Sequence, residues 1–255
     1  WQRVAWRFSL AILAFFICFR FIPVPFSAYM VQQKIGHLLQ LDFSYSIKYD
    51  WVSLDEISPN MQLAVIAAED KRFYEHWGVD VLGVVRALIG NVVAGGVQSG
   101  ASTITQQVAK NFYLSNERTF SRKFNEALLA YKIEQSMSKD QILELYFNQI
   151  YLGQRAYGFA AAAQIYYNKN VKDLTLGEAS MLAGLPKAPS AYNPIVNPER
   201  AKLRQEYILN NMVEEKMITP QERDEALKEE LHYERFVQKI DQNALYVAEM
   251  VRQEL

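Results

Sequence analysis

Two glutamates sit in surroundings that do not suit a solvated carboxylate. Glu69 ends the run Met61-Gln62-Leu63-Ala64-Val65-Ile66-Ala67-Ala68-Glu69, and on a helix its neighbours three and four residues back are Ile66 and Val65. Glu126 follows Arg122-Lys123-Phe124-Asn125; Phe124, Leu128 and Tyr131 make one apolar stripe there, and Leu129 and Ile133 lie on the glutamate's own side. A helix that is apolar nearly all round is a buried one. A buried carboxylate is either paired with a cation, as Arg122 four residues before Glu126 allows, or held with a raised pKa in a cleft. One such residue reads as a structural ion pair before it reads as a catalytic group, since ion-pair networks perturb pKa as well. Two of them suggest glycosyl chemistry, in which one carboxylate moves a proton and the other handles charge on the opposite side of a sugar bond.

Composition removes several other kinds of chemistry. The chain has 255 residues, 50% of them hydrophobic, which suffices for a packed core. Lys plus Arg number 27 against 28 for Asp plus Glu, and a net charge of -1 gives no broad positive field for a nucleic acid. A lone Cys18 cannot form an internal disulfide or a cysteine zinc site, and His37, His76 and His232 lack metal-ligand spacing. Neither common nucleotide-binding glycine motif occurs, so no organic cofactor is expected.

The elements that must position the glutamates read as helices. Apolar residues recur at helical spacing in 61–69, 81–93, 122–135, 141–151, 158–167, 176–183, 198–215 and 220–229, and convincing strands are few. Ser138 with Gln141 and Thr175 with Glu178 have the spacing of capping boxes, and Thr219 precedes Pro220 at a helix start. The stretch Gly95 to Ser102, followed by Thr103-Ile104-Thr105-Gln106-Gln107, reads as a mobile loop. Near the other end, Phe8 to Phe19 carry no charge, and Val4 to Ile22 approaches the roughly 20 residues a bilayer span needs before Pro23 and Pro25 stop it. A buried core helix and a cleaved signal peptide are the rival readings of this segment. The expectation is one N-terminal transmembrane anchor, with Arg3 and Arg7 on the cytoplasmic side and the rest of the chain outside.

Five motifs then occur in order. They are Glu69-Asp70-x-x-Phe73-x-x-His76-x-Gly78, Gly100-Ala101-Ser102-Thr103-Ile104-Thr105-Gln106-Gln107 with Lys110-Asn111, Arg122-Lys123-x-x-Glu126, Lys139-x-x-Ile142-Leu143-Glu144-x-Tyr146-x-Asn148, and Arg200 and Arg204 before Ile208-Leu209. Together they resemble the family-51 peptidoglycan glycosyltransferases, from about Ser44 to about Leu227. With one anchor and no evident second domain, the chain is most similar to the monofunctional biosynthetic transglycosylases of that family. Ala101 stands where the family generally has a second glycine. The sequence Ser136-Met137-Ser138-Lys139 matches the Ser-x-x-Lys of penicillin-binding transpeptidases but falls on a helix cap, with no Lys-Thr-Gly elsewhere, and reads as coincidence.

The resemblance implies a mainly α architecture: a lysozyme-like glycosyltransferase head, a small membrane-apposed lobe, and the anchor. The expected boundaries are 1–30 for anchor and linker, 44–240 for the glycosyltransferase domain and 241–255 for a helical tail. It also implies polymerisation of lipid II at the outer face of the cytoplasmic (inner) membrane. Glu69 would act as general base, with Glu126 on the donor's diphosphate side. Lys110, Arg118, Arg122 and Lys123 would meet the diphosphate charge, and Ser102, Thr103 and Gln107 would donate hydrogen bonds. Asp70, Phe73 and His76 complete the expected substrate site, with Phe73 and His76 read as shaping it and not as reacting in it. A divalent cation, Mg²⁺ or Mn²⁺, a growing lipid-linked glycan, moenomycin-type inhibitors and cell-wall synthesis proteins are the implied partners. A muramidase that cuts the same bond and an inactive membrane-anchored binding module are the alternatives.

Overall fold

The computed structural model describes residues 51–93, 102–113 and 120–233. The chain divides into two compact units, 1–51 and 52–255, and apart from Trp51 the described residues belong to the second. The expected anchor, the tail from 241 and most of the glycine-rich stretch lie outside the described residues. Among the described residues no helix is long and apolar enough to cross a membrane.

The described residues form nine α-helices: α1 Pro59–Glu69, α2 Val81–Val93, α3 Ile104–Tyr113, α4 Phe120–Ser136, α5 Lys139–Gln149, α6 Phe159–Tyr167, α7 Leu176–Leu182, α8 Pro198–Glu214 and α9 Pro220–Lys228. Their β structure is a bridge between Tyr151 and Tyr157. The start signals work as read. Ser138, Thr175 and Thr219 each accept a hydrogen bond from the backbone N–H three residues on, and Gln141, Glu178 and Glu222 return it to complete capping boxes.

Helix α1 is the centre of the domain. Met61, Ala64, Val65, Ile66 and Ala67 are all buried, because α7 and α8 pack against one side and the core of α5 and α6 fills the rest. Phe147 meets Phe159 edge to face with ring centroids 5.0 Å apart, and fully buried aromatic side chains of this kind contribute roughly 1.5–3 kcal/mol each. The apolar run 63–68 draws α1 inside, so its last residue, Glu69, is carried to the edge of the core without reaching bulk water.

Helix α3 is the one element the sequence pattern did not yield. It begins where a loop was expected, because Thr103 and Gln106 form a fourth capping box: Gln106 N donates to Thr103 Oγ1 at 3.1 Å and Thr103 N to Gln106 Oε1 at 3.0 Å. Its start is tied to the turn after α1. Ile104 N donates to Asp70 Oδ2 at 3.1 Å, and Thr103 Oγ1 donates to Gly78 O at 2.6 Å. Gly78 has φ +86°, and a Cβ there would lie 2.9 Å from Ala130 C and O, so only glycine lets this turn press on the backbone of α4.

Helix α2 is different in kind. Val81, Leu82, Val85, Leu88, Ile89 and Val92 are all exposed, and Phe124, Leu128 and Tyr131 on α4 are exposed as well. The stripe expected on α4 therefore faces outward, and only the opposite side of that helix, with Glu126 and Ala130, is buried.

Candidate active site

Glu69 closes α1 with its side chain 11% exposed. Gln107, one turn into α3, donates from Nε2 to Glu69 Oε2 at 2.7 Å. The other oxygen, Oε1, is buried without a hydrogen bond, and the Arg204 guanidinium lies 3.8 Å from it. Arg204 itself comes from α8, donates to Ala68 O at 3.2 Å and stacks over Tyr207 with its carbon 4.9 Å from the ring centre. Burial raises the Glu69 pKa, and the Gln107 hydrogen bond together with the charges of Arg204 and Lys187 opposes the rise. The result is a carboxyl group with one oxygen fixed and the other buried without a hydrogen bond.

The turn after Glu69 forms a small polar hub. His76 Nε2 lies 3.0 Å from both carboxylate oxygens of Asp70, and the pair is buried. Phe73 is fully buried, edge-on to His76 at 6.4 Å and under the Lys139 ammonium at 4.5 Å. These three residues join α1, α3 and α5.

Glu126 is 3% exposed and paired twice from its own helix, with Arg122 Nη1 at 3.7 Å and with Lys123 Nζ. The Lys123 ammonium also donates to Ser102 Oγ at 2.9 Å. Beside Glu69 opens a cleft of about 280 Å³ whose walls include Glu69, Asp70, Arg72, Arg86, Ser102, Thr103 and Tyr207. Ser102 thus belongs to both settings, and through it and Lys123 the surroundings of the two glutamates join at the rim of one cleft. Lys110 is exposed on α3, and Arg118 lies outside the described residues.

Gln107 holds Glu69, and Arg204 of the fifth motif approaches it, two contacts that the sequence pattern does not show. Lys71 and Arg72 line the cleft without having been foreseen; Lys71 bridges to Glu214 at 3.1 Å and Arg72 to Asp80 at 3.2 Å. Among the described residues no three His, Cys, Asp or Glu side chains are grouped to hold a metal ion, so they form no protein cage for Mg²⁺ or Mn²⁺.

The Transglycosylase family profile matches residues 36–213. Over 206 residues the chain is 81% identical to penicillin-binding protein 1A of Neisseria cinerea, covering 81% of this chain and 26% of that protein. It is 51% identical over 204 residues to penicillin-binding protein 1A of Escherichia coli (strain K12), covering 80% of this chain and 24% of the relative. A crystal structure of penicillin-binding protein 1A from Haemophilus influenzae aligns with 81% of this chain and 21% of its own at 31% identity and a TM-score of 0.48. The chain spans about a quarter of the length of these curated relatives, and the expected monofunctional organisation finds no support in them. The matched stretch contains Glu69, Glu126 and every element that positions them, and on that match the chain belongs to the Transglycosylase family of enzymes.

Proposed function

We propose that the chain is a peptidoglycan glycosyltransferase that polymerises lipid II, with Glu69 as the general base. One observation carries this: Glu69 is buried at the edge of a cleft with Oε2 held by Gln107 and Oε1 unbonded. In the reaction the C4 hydroxyl of an incoming N-acetylglucosamine gives its proton to that oxygen, and O4 attacks C1 of the muramyl sugar. The bond from C1 to the lipid diphosphate breaks as the new bond forms, configuration inverts from α to β, and undecaprenyl diphosphate leaves. Burial suits the step, since a carboxylate of raised pKa takes a proton from a weakly acidic hydroxyl more readily.

On this reading the leaving diphosphate is met by Lys123 and Arg122, whose charges Glu126 holds in place, and by Ser102 and Thr103 in the cleft wall, with Lys110 and Arg118 as the further cations of the proposed donor site. A divalent cation would add charge on the diphosphate, and the described carboxylates offer no cage for one. The exposed apolar face of α2 supports a membrane-resting lobe, consistent with a single-pass protein of the inner membrane whose catalytic part lies on the periplasmic side. Moenomycin-type phosphoglycolipids would compete for the donor site. The relatives' names also speak of penicillin binding, and the Ser136–Lys139 run does not supply it: Ser138 caps α5 and Lys139 bridges to Glu134 at 2.7 Å.

The test is incubation of the purified protein with labelled lipid II and, separately, with finished glycan. Growing polymer that Glu69→Gln abolishes supports the proposal. Shortened glycan would instead establish a muramidase, and no reaction with either a binding module.

A further inference from the structure

Gln107 can hold Glu69 only if its amide is turned the right way. A carboxylate accepts hydrogen bonds and donates none, so the amide must present Nε2 to Glu69, and it does so at 2.7 Å. The opposite end, Oε1, then faces the core, and there the Tyr146 hydroxyl meets it at 3.4 Å, a contact longer than the usual O–H···O bond. Rotated by half a turn, the amide would push a carbonyl oxygen toward the carboxylate, and its NH₂ would still find the Tyr146 oxygen as an acceptor. Nothing in the amide itself prevents that rotation. The proton on the Tyr146 oxygen favours one setting over the other, because it rewards an oxygen at Oε1.

We propose that Tyr146 is a positioning residue of this site: its hydroxyl, donating to Gln107 Oε1, fixes the Gln107 amide with its NH₂ toward Glu69, so that the buried carboxylate meets a donor and not an acceptor. This rests on the reading of Glu69 as general base. Tyr146 is suited to the task. It is 1% exposed, its ring packs against Phe147 and Phe159, and burial raises its pKa well above the ordinary tyrosine value, so the hydroxyl keeps its proton throughout the working range. The chain of contacts runs from α5 to α3, which pack on each other, and from α3 through the Gln107 side chain to the end of α1.

The groups that face Glu69 are Gln107 from α3, Arg204 from α8, Lys187 from the segment between α7 and α8, its neighbour Asp70, and the Tyr146 hydroxyl from α5, which feels the Glu69 charge. Arg204 and Lys187 favour the ionised carboxyl and Asp70 opposes it, as does burial. With the amide reversed, burial and a facing carbonyl oxygen would both favour the protonated acid, which cannot act as a base. Loss of the Tyr146 hydroxyl should therefore show as a pH effect and not simply as a weaker fold.

The experiment follows the Glu69 carboxyl by ¹³C NMR titration, its signal assigned by its loss in Glu69→Gln, together with the pH dependence of lipid II polymerisation. Both are run on the intact chain, on Tyr146→Phe, on Gln107→Met and on the double variant. In Tyr146→Phe the titration and the acidic limb of the rate profile are expected to move to higher pH. The rate on that limb should fall about tenfold, the size of effect one hydrogen bond supports. On the Gln107→Met background the same change should move neither. If Tyr146→Phe does not fold, 3-fluorotyrosine at position 146, a stronger donor of the same shape, should move the titration to lower pH. An unmoved titration in Tyr146→Phe or the fluorinated protein, or a shift that persists without the Gln107 amide, overturns the proposal. Should Glu69→Gln stay active, the base reading fails separately, since the titration still reports whether Tyr146 acts on Glu69.

Discussion

Arg204 lies 3.8 Å from Glu69 Oε1 yet donates its hydrogen bond to Ala68 O at 3.2 Å. The guanidinium therefore supplies charge to the carboxyl without occupying the oxygen that would take the substrate proton. Removing the charge and keeping a donor for Ala68 O isolates that effect. Arg204→Gln should move the acidic limb of the polymerisation profile to higher pH, because a cation that favours the carboxylate is gone. The rate just below neutral pH should drop about tenfold and recover at alkaline pH. A uniform drop at all pH values would assign Arg204 to packing over Tyr207 instead.

Glu69→Gln should remove activity by about 10² to 10⁴-fold, as loss of a general base does, while lipid II binding is kept. Its stability has a definite sign. Since burial raises the Glu69 pKa, the folded chain holds a proton that the unfolded chain has already released at pH values above the ordinary glutamate range near 4.5. Over that window the folded state loses stability as pH rises, and above the raised value the deficit persists. The amide has no such deficit. Melting temperatures should put Glu69→Gln at or above the wild type at pH 8, with any advantage gone at pH 4.

Much of this arrangement was legible because it is local. Burial of Glu69 followed from Val65 and Ile66 on its own helix, and the pairing of Glu126 with Arg122 from their spacing of four. The approach of Arg204 to Glu69 was not legible, because the two residues meet only when α8 folds against α1. Helix α3 was missed for a different reason: Thr103-x-x-Gln106 is a capping box, but it follows directly on a glycine-rich run that reads as loop. With α3 read as loop, Gln107 had no fixed position, and its grip on Glu69 could not be foreseen. The outward turn of Phe124, Leu128 and Tyr131 shows the converse limit, since an apolar stripe tells which residues share a face and not what covers it.

Gly78 should tolerate no side chain. Its φ of +86° disfavours any residue with a Cβ, and that Cβ would stand 2.9 Å from the backbone of Ala130, which cannot rotate away. Gly78→Ala should lower the melting temperature by roughly 5 to 15 °C, from combined backbone strain and overpacking. Activity should fall with it, because the same turn receives the Thr103 hydroxyl that starts α3. Gly90→Ala is the control. It lies inside α2 with nothing within 4 Å, so there the change should be neutral or slightly stabilising.

The exposed face of α2 gives the prediction that bears most directly on the membrane. Leu82 and Ile89 are 60% and 61% exposed, one turn of helix to either side of Val85 and Arg86, and both lie on the element that flanks the cleft through Gly83, Arg86 and Ala87. Burying the exposed part of two such side chains in a bilayer is worth roughly 2–4 kcal/mol in total, which corresponds to a partition difference of about 30 to 1,000-fold. Leaving them in water costs the folded chain little, so polar replacements there should alter stability by less than about 0.5 kcal/mol per site. The measurement compares the intact chain and a form lacking residues 1–25, each with and without Leu82→Gln and Ile89→Gln, by flotation with phospholipid vesicles. The shortened form should still bind vesicles, and the two substitutions should release it while its melting temperature stays put. In the intact chain the same substitutions should leave flotation unchanged but slow polymerisation of vesicle-embedded lipid II, because the cleft would no longer rest against the lipid that presents the donor. Equal vesicle binding by the shortened form with and without the substitutions would mean that α2 faces something other than lipid, and the membrane-resting lobe would have to be sought elsewhere on the surface.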